Sequence, residues 1–349
     1  MYFLTFTILL LLSIIEYNKI FINNKVTYLY LIITVSLFVG LKGNVGTDTV
    51  NYEMFYRNVD VVDGVLEYFF TSSIKISNFF GLSFNAFLFS CTFLSVYLYT
   101  LAYKKTIQSN LLVFSFLIYF SDLFMYYNMS GLRQGLALSF VFLSSFYALN
   151  KKTVYFVCVV AIASLFHKSA IISLLIYPAI NIEISYNKRF FMFTIVGTII
   201  LHYFSKNYLF NITGIDIKGA EMYLSEDYNE FSISAYLIGI LRRIYPVFFV
   251  FSCYHIYCKN SYGMKTLNVY LLGLAIYIAT YPIFPDVTVR ITSYFFIFES
   301  FLFVFIACSI KPKLNRVAFY SFVLFVMLYK IFQYSSLQSY SYVFMDGIM

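Results

Sequence analysis

Apolar runs recur along this chain from Phe3 to about Ile331, and the polar stretches between them leave no room for a separate soluble domain. A helix of about 20 apolar residues crosses the roughly 30 Å hydrocarbon core of a bilayer, and fewer suffice where its ends dip into a polar cavity. The runs predict spans near 3–15, 26–41, 84–103, 110–125, 132–149, 153–166, 169–182, 190–204, 234–256, 266–282, 291–310 and 316–333. Charged residues are 11% of the 349, against about 25% in a soluble domain. The expected fold is all-α: a polytopic integral membrane protein of about twelve transmembrane helices, one membrane domain over 1–349, with long loops at about 42–83 and 205–234. The first run follows no basic segment and precedes no small-residue cleavage site, so it reads as a retained helix rather than a signal peptide.

The basic residues sort the connections into two sets. One holds Lys19 and Lys25, Lys104 and Lys105, Lys151 and Lys152, Lys188 and Arg189, Lys259 and Lys265, and Lys311, Lys313 and Arg316; its acids are Glu16 and Glu183. The other holds nearly all the carboxylates, among them Asp48, Glu53, Asp60, Asp63, Glu67, Asp216, Glu221, Glu226, Asp227, Glu230 and Asp286. By the positive-inside rule the first set is cytoplasmic, and both termini lie outside.

Sidedness also decides the run 153–182. Both its flanks are basic and belong on one side, so it must cross twice and turn at His167-Lys168. His167 then sits about 14 residues, or roughly 21 Å, from the inner face, slightly below the outer surface.

Other classes of function find little support. The net charge of +8 is spread loop by loop, which gives no nucleic-acid footprint. Cys91, Cys158, Cys253, Cys258 and Cys308 form no C-x-x-C pair and no zinc spacing with histidine, so they are expected to be small core residues. No metal site and no cofactor is expected. With no Trp in the chain, Tyr takes the interfacial belt role.

The polar groups near the spans converge on the outer side: Asp48, Arg133, His167, Lys168, Arg242, Arg243 and Arg290. A charge inside lipid costs roughly 2.5–3.5 kcal/mol on insertion scales. Each of these alone reads as an interfacial anchor. Together they place arginine, rather than lysine, beside the outer span ends, and a guanidinium binds phosphate oxygens through a planar fork without losing its charge. Within Gly46–Tyr56 a turn opens a helix with Thr47 or Asp48 as N-cap, and Asp48, Tyr52 and Tyr56 share one face. Leu66–Phe80 is amphipathic and suits the interface.

Gly46-Thr47-Asp48 with Tyr52 and Tyr56, Glu67, Gly131-Leu132-Arg133-Gln134-Gly135-Leu136-Ala137, Phe166-His167-Lys168-Ser169-Ala170 and Arg290-Ile291-Thr292-Ser293-Tyr294-Phe295 follow one another in order. This pattern, covering most of Val45–Phe298, resembles the EpsG-like branch of bacterial polysaccharide polymerases, which includes many O-antigen polymerases of the Wzy type. The Pro-Gly that usually follows the acidic position is absent after Glu67.

The resemblance implies a metal-independent glycosyltransferase in the bacterial inner membrane. It would polymerise undecaprenyl-diphosphate-linked oligosaccharide at the outer face, amid membrane lipid and with a chain-length regulator protein as a further partner. Arg133 and Arg290 would hold the diphosphate, and His167 or Asp48 would take the proton from the attacking hydroxyl. Gln134, Lys168, Arg242, Arg243, Tyr52 and Tyr294 would complete the substrate site. A transporter for the same lipid-linked glycan would place its charges near the midplane. A membrane acyltransferase would need a second polar motif on the cytoplasmic side, and a non-catalytic assembly subunit would need neither.

Overall fold

The computed structural model describes residues 1–18, 24–59, 66–107, 110–184, 232–310 and 313–345, with scattered positions between 186 and 203. The expected span 190–204 falls largely outside these residues. So do Lys19, Asp60, Asp63, Lys188, Arg189, Lys311 and the acidic stretch up to residue 231.

The described residues form helices and no strand. In chain order they are α1 (Tyr2–Tyr17), α2 (Asn24–Gly40), α3 (Thr49–Arg57), α4 (Tyr68–Phe79), α5 (Phe84–Thr106), α6 (Leu112–Tyr127), α7 (Leu132–Leu149) and α8 (Thr153–Phe166). Then come α9 (Lys168–Asn181), α10 (Ile233–Ser252), α11 (Ser261–Thr280), α12 (Pro285–Ser309) and α13 (Lys313–Ser336). Among the described residues, six helices are long and apolar enough to cross a membrane, and five apolar ones are shorter. Apart from 190–204, each expected span meets one of them.

The chain forms two compact units, Met1–Ile171 with Ala307–Met349, and Ile172–Ile306. In the first, the charges sort by end as the sequence predicts. At one end Glu16 accepts from the backbone N–H of Leu112 and Val113 at 3.0 and 2.8 Å, capping α6 from another helix. Lys104 sits 3.8 Å over the Tyr28 ring, and Arg316 donates to the Ile310 carbonyl. At the other end Tyr2 Oη donates to the Tyr340 carbonyl at 2.8 Å, and the C-terminal segment pairs with the turn after α2. There Gly43 N–H donates to Val343 O, and Gly46 N–H to Ser339 O, at 2.8 and 2.7 Å. Tyr2 and the C-terminal segment therefore share an end with the Gly46-Thr47-Asp48 turn.

Three expectations need correction. Arg242 and Arg243 are the tenth and eleventh residues of the 20-residue α10, about 14 Å from its start, and so stand at mid-helix rather than near an end. The Arg243 charge tolerates that depth because its guanidinium lies 4.0 Å from the Tyr277 ring centroid and 4.9 Å from that of Phe296. Second, the span expected at 291–310 begins earlier, at Pro285, whose fixed φ suits a first helical turn, so Arg290 lies just inside its end. Third, Cys91 is buried, but Cys158, Cys258 and Cys308 are exposed. A thiol is apolar enough to stand on a lipid-facing run.

Candidate functional site

The site is assembled in the first unit from the loop before α4, the start of α7 and the end of α8. At its centre stands Glu67, the residue preceding α4. Arg133 Nη1 donates to Glu67 Oε2 at 2.5 Å, and Arg133 Nε donates to Tyr52 Oη at 3.2 Å. On the other carboxylate oxygen, Oε1, His167 Nδ1 lies at 3.1 Å and the Lys168 backbone N–H donates at 3.3 Å. Thus Arg133 and His167, separate in sequence, meet on one acid, and Tyr52 joins them through Arg133.

Local structure explains each placement. Helix α8 stops at Phe166 because His167 takes an extended backbone (φ −155°, ψ 116°), which turns its ring and the next N–H toward Glu67. Phe166 stacks on Phe140 of α7 at 5.4 Å and meets Phe69 of α4 edge-on at 5.7 Å, joining the three elements behind the site. Tyr52 packs on Phe70 at 5.5 Å, so α3 holds α4 from the other flank.

A second connection binds the early turn to the start of α7. Gly46 has φ +96°, and a Cβ there would come within 2.5 Å of the Met129 carbonyl, so only glycine fits. Gly135 likewise leaves room for the Asn128 side chain, which a Cβ would approach to 2.9 Å. Ser130 Oγ accepts from Asp48 N–H at 3.1 Å and bonds Thr47 Oγ1 at 2.7 Å. Buried Lys42 donates to Val45 O at 2.8 Å, to Thr49 Oγ1 at 2.9 Å and to Met129 O. Its three donors therefore tie the two turns together. Burial pushes its amine down to about 7, against the pull of Asp48.

The electrostatics follow. Burial raises the Glu67 carboxyl, but the His167 hydrogen bond and the Arg133 and His167 charges outweigh it and hold the pKa at about 2. An ionised carboxylate only accepts, so Nδ1 of His167 carries the hydrogen and the lone pair of a neutral ring falls on Nε2. The Glu67 side chain is 8% exposed, whereas those of His167 and Arg133 are 16% and 21% exposed. An arriving molecule meets the two basic groups, with the acid behind them.

The other predicted residues are placed as follows. Asp48 is the N-cap of α3, half-buried, with Thr47 Oγ1 3.1 Å from its Oδ1. Tyr52 and Tyr56 are buried on the α3 face that meets α4, and Gln134 is buried in α7. Arg242, Arg243, Arg290 and Tyr294 belong to the second unit. There Arg290 Nε donates to Asp286 Oδ2 at 2.9 Å, Arg243 Nη1 donates to Gly239 O at 2.9 Å, and Tyr294 is a fully buried core aromatic. Glu299 accepts from Tyr245 Oη of a neighbouring helix.

Glu67 is the residue whose role sequence reasoning missed. Its signal was an acid immediately ahead of an amphipathic stretch, facing a His and an Arg assigned to the same side. The geometry defines a polytopic helical membrane protein with an Arg–Glu–His cluster at one end of its spans. The EpsG family model matches residues 25–344, and the chain belongs to the EpsG family, membrane proteins of the polysaccharide-polymerase type. No curated protein and no solved structure matches it.

Proposed function

We propose that the protein polymerises polysaccharide by glycosyl transfer from an undecaprenyl-diphosphate-linked chain onto a second lipid-linked oligosaccharide, at the outer face of the bacterial inner membrane. The observation that carries this reading is the single carboxylate joining Arg133 and His167. In the reaction the acceptor hydroxyl oxygen bonds to the anomeric carbon of the donor. The bond from that carbon to the lipid diphosphate breaks, and the diphosphate leaves with the electron pair. Arg133 offsets the charge that develops on the leaving group. His167 takes the hydroxyl proton on Nε2, and Glu67 orients the ring and stabilises the imidazolium that results. Asp48, with Thr47 and Ser130 around it, is the alternative acceptor of that proton.

The test is a polysaccharide gel of a deletion strain carrying His167→Ala or Arg133→Ala. Membrane insertion at the normal level with single capped repeats and no long-chain ladder is expected. Normal ladders from both variants would sink the assignment.

One observation favours a second reading, transport of the lipid-linked glycan: Arg242 and Arg243 stand at mid-helix, where a carrier places its charges. The two readings part in the deletion strain. Loss of polymerisation leaves single repeats on the outer surface; loss of transport leaves them inside.

A further inference from the structure

Helix α4 has two unlike faces. Phe70, Thr71, Ile74 and Ser77 are buried. Phe70 meets Tyr52 and Phe87 at 5.5 and 5.7 Å, and Tyr56 Oη bonds Ser77 Oγ at 3.0 Å. The opposite face carries Tyr68, Ile76 and Phe79 and runs on into Phe80 and Leu82; these are 73%, 59%, 85%, 70% and 42% exposed. Fully burying one such side chain is worth about 1.5–3 kcal/mol, so a contiguous patch of this kind marks a contact surface rather than a wet one.

The chain itself indicates what covers it. Gly81, with φ +66°, turns the chain at the end of α4, and Ser83 caps α5 by accepting from Ala86 N–H. Helix α5 is 23 residues long, about 34 Å, enough for the whole hydrocarbon core. The aromatic tip Phe79-Phe80 therefore lies within a turn or so of the point where α5 enters lipid. The exposed patch continues in kind along α5, where Phe93, Leu94 and Tyr97 face outward. The exposed Lys75 lies on the same outward side, and no carboxylate occurs between Glu67 and Asp122. A segment resting among phosphate headgroups would carry that charge pattern.

We propose that α4 is an interfacial helix whose Tyr68–Ile76–Phe79–Phe80 face is immersed in the glycerophospholipid bilayer, and that this immersion sets the depth of Glu67 at its N-terminus. Glu67 holds Arg133 and His167, so the helix also fixes the depth of both basic groups. Their value at headgroup depth, where a lipid-borne diphosphate lies, rests on the glycosyl-transfer reading; the immersion itself does not.

The chain contains no Trp, so a single introduced indole reports without background. Phe79→Trp, Phe80→Trp and Tyr68→Trp proteins are reconstituted in phosphatidylethanolamine–phosphatidylglycerol vesicles. The lipids carry bromine at shallow or deep acyl positions, and iodide serves as the aqueous quencher. All three indoles are expected to be quenched more strongly by shallow bromine than by deep bromine or iodide. Stronger quenching by iodide at positions 79 and 80 would overturn the immersion. Deep quenching at 79 with iodide quenching at 68 would mean end-on insertion and overturn the depth-setting role. Because fluorescence needs no turnover, normal ladders from His167→Ala and Arg133→Ala would count against the glycosyl-transfer reading alone.

Discussion

Glu67 Oε2 and Arg133 Nη1 lie 2.5 Å apart across 66 residues of sequence, and the other oxygen of the same carboxylate lies 3.1 Å from His167 Nδ1. One acid thereby orients both a fork suited to phosphate and a ring suited to accepting a proton. Charge-assisted bonds of this kind are about twice as strong as neutral ones, so neither basic side chain has to be ordered when substrate arrives.

Arg133→Lys should abolish the polysaccharide ladder while leaving membrane insertion intact. An ammonium cannot reach Tyr52 Oη and Glu67 Oε2 through a rigid fork and still face a diphosphate. A full-length ladder from this variant would mean that charge alone is required.

Glu67→Gln should weaken the protein at neutral pH and change its acid response. The folded pKa, about 2, lies below the ordinary 4.5. The carboxylate's contribution is therefore fully present above about pH 4.5 and is lost as pH falls toward about 2. Melting of the purified protein in detergent across this window should show a steeper acid loss for the wild type than for Glu67→Gln. Glu67→Ala strands Arg133 without its counter-charge and should cost about 3 kcal/mol. Superimposable acid profiles would show that the pair contributes nothing to stability.

Lys42 predicts the opposite limb. Its folded pKa of about 7 lies below the ordinary 10.5, so the unfolded chain holds the proton more tightly. Stability from this residue is fully present above about pH 10.5 and falls as pH drops through about 7. Wild-type melting temperature should rise across that range relative to Lys42→Met, whose slope should be flatter. An unchanged slope would show that Lys42 titrates as an ordinary surface lysine.

A topology reporter fused after Lys152 should read cytoplasmic, and one fused after Lys168 external. Helix α8 has 14 residues and ends at the extended His167, which suits a short crossing that stops near the outer face. A cytoplasmic reading after Lys168 would remove His167 from the outer surface and with it the proposed chemistry.

Much of the architecture was legible in advance. Apolar runs located the described spans to within about six residues, and charge sorting put Glu16 and Lys104 at one end of the first unit and Asp48, Arg133 and His167 at the other. Helix α10 was misread in one respect. Its Arg242-Arg243 pair reads in sequence as lying at or just inside the outer end of its span, but the aromatic faces of Tyr277 and Phe296 shelter Arg243 at mid-helix. That shelter comes from other helices and leaves no local trace.

Amino-acid order by itself determined which segments suit lipid and which charges of the first unit gather at one end, because transfer free energies of apolar runs and loop charges act nearly segment by segment. Only the tertiary structure decided that Glu67 unites Arg133 and His167, that Lys42 ties the turn at Gly46 to Met129, and that α4 turns its aromatic face outward. The physical reason is that hydrogen-bond partners are chosen by which loops meet when helices pack. Those meetings span 66, 87 and 100 residues, and no local pattern encodes them.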